Sequence, residues 1–405
     1  VQSILNKVSL PIFSLLLILS CSDSKDDQDQ QNPLNLQGPV ASRILVADGL
    51  EPILKVVDLG EGKVLQSIPT SGTSRVYTGE TGRFAYAIQM TENKVNIVDG
   101  GLWFENGVQV QDNPRLMETS LEGPLPIHFV AKAGYAAIFF DEGGIAQFIP
   151  ESLEDGLGND PITIDSGAPH HGVALAFGDH FLVSKPLIEE AQEGGLPVGI
   201  QVFNQTGNRV GQNFEDCPAL HGEAATDKVV AFGCGDGVLM IEEADEGLKS
   251  YKVAPSELGP EDKGRVGTLV AHNKAPYIVG NFGKNRYVEI DPSTKAMTIR
   301  EMSMDYSRFK FSSDGRYLIF LGRDGTLGVL DVETRELIHQ SKVTSESTGE
   351  NHGAIDPQIT VGQGFVFISN PRDGEVVVFD LISLSIKKVI QIGGTPTMLT
   401  SFGSQ

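Results

Sequence analysis

The sequence predicts an all-β fold: a single eight-bladed β-propeller closed by both ends of the chain. Three observations predict it. From about residue 40 onward helical periodicity is almost absent, and short runs rich in Val, Ile, Phe and Tyr alternate with Gly, Asp, Asn and Pro. Asp-Gly pairs begin at Asp48, Asp99, Asp155, Asp236, Asp314, Asp324 and Asp373, and they suit tight turns because glycine accepts the positive φ such turns need. A unit of four short strands recurs with a period of about 45 residues, which is the signature of a propeller blade.

The units can be read in order. Seven are internal: SRVYTGETGRFAYAIQMTENKVNIVDG from Ser74, IHFVAKAGYAAIFFDEGGIAQFIP from Ile127, and HGVALAFGDHFLVSKP with VGIQVFNQ from His171 open the series. HGEAATDKVVAFGCGDGVLMIEE from His221 and VGTLVAHNKAPYIVGNFGKNRYVEIDP from Val266 follow. SRFKFSSDGRYLIFLGRDGTLGVLDVETRELIHQ from Ser307 and ITVGQGFVFISNPRDGEVVVFDLISLSIKKVIQIG from Ile359 complete them. The eighth is composite. SRILVADGLEPILKVVDLGEGKVLQSIPT from Ser42 supplies three strands and GTPTMLTSFGSQ from Gly394 supplies the fourth, which removes the open edges a sheet would otherwise expose. Seven blades is the competing count, if one of the weaker units is misread.

Upstream of the propeller, residues 1–20 read as a lipoprotein signal peptide. Lys7 precedes the apolar run SLPIFSLLLILS, which is too short for a mature membrane span, and Ile18-Leu19-Ser20-Cys21 has the form of a lipobox. Lipid attachment to Cys21 is expected, with plain secretion as the alternative. Residues 21–39 are polar and acidic and read as a flexible tether, leaving 40–405 for the propeller. The expected location is therefore the cell envelope, periplasmic or surface-exposed, with the lipid as the one contact with a bacterial membrane. A net charge of −22 excludes a nucleic-acid binder, which needs basic patches.

The first strand of each blade lines the channel of a propeller. Near the start of that strand the repeats place Arg75, His128, His171, His221, Arg265, Arg308, then His352 or Asp356, and Pro396. Histidine is scarce in this chain, yet three consecutive blades carry it at equivalent positions. Glycine follows His171, His221 and His352 and leaves room for close approach by a neighbouring backbone or a ligand. Zinc takes about four ligands and neutral imidazole is a preferred one, so His128, His171 and His221 with Asp356 or His352 are the candidate zinc site. His170 is the neighbour of His171 on the opposite strand face; His180 and His272 are off register, and His339 falls on an outer strand. Cys217 and Cys234 flank a hairpin that turns near Thr226-Asp227. A disulfide suits an oxidising compartment, and the alternative is Cys217 as a zinc thiolate.

At these residues the chain resembles the periplasmic zinc metallochaperone propellers of the AztD type. The matching pieces are PIHFVAKAGYAAIFFD, PHHGVALAFGD, CPALHGEAATDKVVAFGCGDGVLM and NHGAIDPQI, which together span most of the propeller. The resemblance implies a propeller holding Zn2+ in its channel on histidine and aspartate, here His128, His171 and His221 with Asp356 or His352. It also implies a protein partner, the substrate-binding protein of a zinc ABC importer, and no catalysis. The family's histidine-rich N-terminal arm is missing, since SDSKDDQDQQN contains no histidine. Two other classes are set against this reading. One is a propeller hydrolase or lactonase with a channel metal activating water and Glu223 as base. The other is a metal-free binding propeller in which Arg75, Arg265 and Arg308 hold an anion.

Overall fold

In the computed structural model, Arg43–Asp48 pairs antiparallel with Pro396–Phe402, so the two ends of the propeller complete one sheet: Arg43 faces Phe402, Ile44 faces Ser401 and Leu45 faces Thr400. Ile53–Asp58 and Lys63–Pro69 add the outer strands of this first blade. The structure describes residues 42–105, 107–152, 156–187, 195–245, 247–255, 265–348 and 355–403. Residues 1–41, which hold the expected signal peptide, Cys21 and the whole of the expected tether, and His352 lie outside the described residues.

The seven remaining blades follow in chain order, each starting with its innermost strand. Those strands are Arg75–Thr78, Pro126–Lys132, Ala174–Phe177, Glu223–Ala225, Leu269–Val270, Arg308–Phe311 and Ile359–Gly362, in blades two to eight. The inner strands meet side by side: Pro396–Phe402 touches both Arg75–Thr78 and Ile359–Gly362, and Pro126–Lys132 touches Ala174–Phe177. Every sheet is antiparallel, and strands adjacent in a sheet mostly follow one another in the chain; the exceptions are the closing pair Arg43–Asp48 with Pro396–Phe402, Lys94–Asp99 with Arg115–Glu122, and Ile145–Ser152 with Ile162–Asp165.

Strand alternation explains the closure. Side chains point alternately to the two faces of each twisted sheet, so both faces carry Val, Ile, Leu and Phe. Eight buried clusters result, one between each adjacent pair of blades. The cluster of Leu45, Val56, Val76, Ala85 and Phe402 joins the first blade to the second; that of Ile44, Val46, Phe367 and Val376 joins the eighth to the first. The eight-bladed count and the composite closing blade are as the sequence predicts.

Two departures from the ideal repeat stand out. Among the described residues the fourth blade has three strands, Ala174–Phe177, His180–Lys185 and Gly199–Asn204; isolated bridges from Ile200 to Phe214 and from Phe203 to Arg209 stand where a fourth strand is expected. The second blade carries an extra hairpin, Leu102–Glu105 with Val108–Gln111, where Arg83 lies over the Trp103 ring at 4.1 Å. Helix among the described residues is limited to the single 3-10 turn Met90–Glu92.

Candidate metal centre

His128 sits within its inner strand, and the chain there is irregular. Pro126 faces Phe140 but His128 faces Phe139, so Ile127 is an extra residue in a bulge. A bulge of this kind re-aims the side chain that follows it. His171 lies three residues before the inner strand of the fourth blade, and its backbone N–H donates to Gly195 O at 3.0 Å. His221 lies two residues before the inner strand of the fifth, and its N–H donates to Gly233 O at 2.9 Å. Three different backbone settings thus deliver three imidazoles to one place. Their ligating nitrogens all lie within 4.8 Å of one another. The ring centroids are 4.8, 5.5 and 5.1 Å apart for the three pairs.

The outward nitrogens are held. His171 Nδ1 meets Asp141 Oδ2 at 2.5 Å, and His221 Nδ1 meets Gly267 O at 2.6 Å. A carbonyl and a carboxylate only accept hydrogen bonds, so both Nδ1 atoms carry the proton and both Nε2 atoms of the neutral rings are bare. His128 Nδ1 faces Glu223 Oε2 at 3.8 Å, while its Nε2 lies 3.2 Å from His171 Nε2. Two nitrogens bound to a tetrahedral zinc at about 2.0–2.1 Å stand roughly 3.3 Å apart, so this spacing fits two ligands of one ion. Metal-binding histidines usually give their other N–H to a carboxylate or carbonyl, which sets tautomer and ring angle. Asp141, Gly267 and Glu223 occupy those positions here.

The carboxylates also set the charge. Asp141 Oδ1 and Glu223 Oε2 are buried without a hydrogen bond. Burial opposes a charged His128, but Glu223 and then Asp141 outweigh burial and Arg75 and hold its pKa above the ordinary value. Burial lowers the pKa of His221, and His128, His171 and Arg265 lower it further against the Gly267 hydrogen bond. The pocket favours positive charge near His128 and bare nitrogen at His221.

Glycine does what the sequence predicts at two of these positions. At Gly222, φ is +78° and a Cβ would stand 2.5 Å from Gly267 O, the carbonyl that anchors His221. At Gly172 a Cβ would fall 2.4 Å from the Phe139 ring. His170 is buried, as an opposite-face neighbour should be, with Nδ1 on Ala168 O at 2.8 Å and Nε2 on Ser184 Oγ at 2.7 Å. His272 contacts Ser313 O, and His339 lies on the outer strand Leu337–Lys342 with Ser341 Oγ at 2.7 Å.

Asp356 does not join the histidines. It is paired to Arg323 at 3.1 Å and to Arg308 at 3.4 Å and accepts a hydrogen bond from Ser347 Oγ. Cys217 and Cys234 form a disulfide with Cα atoms 4.9 Å apart, and both residues are buried. The disulfide leaves no Cys217 thiolate for zinc. The cysteines flank the expected hairpin, but Cys217 lies ahead of its first strand, Glu223–Ala225, while Cys234 ends its second, Val229–Cys234. The disulfide therefore ties the turn before His221 to the end of the second strand. Asp141 was not legible as a site residue, since in FFDEGG it reads as an ordinary turn aspartate, and its hairpin role hides its reach to the next blade.

Over 404 residues the chain is 28% identical to the zinc chaperone AztD of Citrobacter koseri, covering 98% of this chain and 92% of that protein. Two solved structures of AztD from the same organism, one of them apo, match it with TM-scores of 0.81 and 0.82 at 26% identity. Each covers 90% of this chain, and 99% and 98% of the AztD chains respectively. Residues 283–398 match the family model of the cytochrome D1 heme domain. Dihydro-heme d1 dehydrogenase NirN in complex with DHE matches at 12% identity and TM-score 0.60, over 89% of this chain and 74% of its own, which is a likeness of fold alone. The resemblance to the AztD-type propellers is borne out over nearly the whole chain.

Proposed function

We propose, from that resemblance, that this chain is a zinc metallochaperone of the cell envelope that holds Zn2+ in its central channel and passes it to a partner protein. The observation that carries the reading is the convergence of the His128, His171 and His221 nitrogens, with the other ring nitrogens engaged or faced by Asp141, Gly267 and Glu223. Three neutral imidazoles supply three of the four ligands zinc prefers. Asp356 and His352 are the candidates for the fourth. Ligation by Asp356 requires it to leave Arg308 and Arg323. Zinc is cargo in this reading, so a shell with one exchangeable position suits release as well as capture. The substrate-binding protein of a zinc ABC importer is the expected recipient, and a lipid on Cys21 is the expected anchor.

Equilibrium dialysis of zinc against the wild type and the His128/His171/His221 triple alanine variant tests the site. Loss of high-affinity binding is expected; unchanged stoichiometry and affinity overturn the assignment. Transfer is tested by mixing the zinc-loaded protein with the recipient and measuring the metal on each after separation. A hydrolase is the second reading, because Glu223 Oε2 is buried without a hydrogen bond, 3.8 Å from His128 Nδ1, and such a carboxylate near the site could act as base toward a zinc-bound water. Turnover of a lactone by the zinc-loaded protein, lost in Glu223→Gln, would establish it.

A further inference from the structure

The third and fifth blades are not neighbours in the ring, yet their inner strands touch across the short inner strand of the fourth, Ala174–Phe177. From His128 to Lys132 the register is regular, with Phe139 to Tyr135 opposite, so His128, Val130 and Lys132 share one face. In the fifth blade Glu223 and Ala225 share a face, and Asp227 follows two residues on, in the turn. Contact runs through three levels. At the first, His128 Nδ1 lies 3.8 Å from Glu223 Oε2. At the second, Val130 and Ala225 both pack on the apolar cluster between the fourth and fifth blades. At the third, Lys132 Nζ donates to Asp227 Oδ1. Lys132 is four residues after His128 and Asp227 four after Glu223, so the two strands run side by side in the same direction.

The third level is the fastened one. A separation of 3.8 Å is too long for a hydrogen bond at the first, and the second is apolar contact. The two inner strands belong to separate sheets, so no ladder joins them. Asp227, by contrast, is held in aim. Its Oδ2 accepts from Asn273 Nδ2 at 2.7 Å and its N–H donates to Asn273 Oδ1 at 2.8 Å. Asn273 comes from the turn after the inner strand of the sixth blade, Leu269–Val270. The Lys132 side chain is largely enclosed, at 17% exposure, while that of Asp227 is open to water at 68%. The Lys132 hydrogen bond holds the Asp227 carboxyl below its ordinary pKa, against burial and with help from Asn273. The rings of His128 and His221 are 5.5 Å apart across two blades, a spacing that no single sheet sets.

We infer that Lys132 and Asp227 are positioning residues of the metal centre: their ion pair clasps the third blade to the fifth and fixes the spacing of His128 and His221. The inference rests on the zinc reading. Neither residue reaches the metal, since four residues of strand put Lys132 about 13 Å beyond His128. Pinning the far ends of two strands limits how far their near ends can part. That limit matters here because zinc needs its nitrogens at about 2.0–2.1 Å, and a drift of a few tenths of an ångström between two ligands loosens both. His171 stands outside the clasp. It belongs to the fourth blade and is placed by Asp141 and Gly195. The clasp therefore sets one edge of the imidazole triangle and leaves the third corner to other contacts.

Zinc affinity of the full chain, read by competition with a chelator, tests the clasp. Lys132→Gln and Asp227→Ala are each expected to weaken zinc by about three- to fivefold, the range open to a partly exposed ion pair. The charge-swapped variant Lys132→Asp/Asp227→Lys is expected to recover most of the loss. Lys249→Gln, which breaks the outer pair of Lys249 with Glu242 at 3.2 Å, is expected to change nothing. A cycle with His221 separates positioning from general stability. In the His221→Ala background Lys132→Gln is expected to cost no further affinity, because there is no spacing left to hold. An equal loss in that background, or wild-type affinity in both folded single variants, overturns the inference. Hydrogen exchange on the zinc-free chain reads the clasp without metal. Residues 126–132 and 221–227 are expected to exchange faster in both single variants, with 308–311 unchanged. Unchanged exchange at 126–132 and 221–227 overturns the clasp. A wild type that binds no zinc overturns the metal reading instead, so the two failures are told apart.

Discussion

His171 and Asp356 stand three residues before the inner strands of their blades, and each is met by a charged side chain from the same turn of the blade before. Asp141 follows the second strand of the third blade and reaches His171 of the fourth; Arg323 follows the second strand of the seventh and reaches Asp356 of the eighth. The architecture is the same and the sign of the charge is reversed. Where the turn supplies a carboxylate, the ring residue is an imidazole with its far nitrogen bare. Where it supplies a guanidinium, the ring residue is a carboxylate already neutralised. Ring position decides where a side chain points, and the preceding turn decides what chemistry it has left to offer.

That contrast can be broken at several points. The largest effect is expected from the histidines themselves. If roughly 10–16 kcal/mol of zinc binding is shared among four ligands, His171→Ala or His221→Ala weakens zinc by about 100-fold or more, read by competition with a chelator of known affinity. Next comes the disulfide that braces the turn before His221. Cys217 and Cys234 are 17 residues apart, and replacing both with serine should lower stability by about 3 kcal/mol, seen as a lower melting temperature, with no counterpart on the arginine side of the ring. Asp141→Asn then tests the turn. It keeps an acceptor for His171 Nδ1 but removes the charge, and zinc affinity should fall by about 10–100-fold with the fold intact.

Smaller effects sharpen the comparison. Gly222→Ala forces a side chain into a left-handed backbone and against Gly267 O, at a cost of about 1–3 kcal/mol, and should weaken zinc as well as the fold because the same carbonyl orients His221. The last prediction concerns pH. Protons displace zinc as pH falls, and they reach His128 first, since Glu223 and Asp141 hold its pKa up against burial, while that of His221 is lowered. Glu223→Gln removes part of that pull, so the midpoint of zinc binding in a pH titration should move to lower pH. A midpoint unchanged by the substitution would show that Glu223 does not act on His128.

Most of the fold was legible because each blade repeats the same hydrophobic alternation and the same turn glycines. The composite first blade followed from three strands at one end and one at the other. The missing fourth strand of the fourth blade was not legible, since isolated bridges at Phe214 and Arg209 replace a ladder that has no distinctive sequence. Repeat register pointed to His171 over His170, and His171 is the one whose nitrogen lies with those of His128 and His221, although both residues precede the inner strand. Register failed to say what Asp356 contacts, because Arg323 lies in a different part of the repeat. Partners that come from a neighbouring blade leave no local signal.

The pairing of Arg43–Asp48 with Pro396–Phe402 has a consequence for the order of assembly. Contacts between strands so distant in sequence form late, since closing a long loop is entropically costly before the contact rewards it. The third, fourth and fifth blades are consecutive, so the three imidazoles can be gathered while the ring is still an open crescent. Arg75 and Arg308 sit on either side of the seam and come together only when it shuts. A protein caught before closure, or opened there by a weakened last strand, should already hold metal. Metal uptake would then mark an earlier moment in the maturation of the molecule than the closing of its ring.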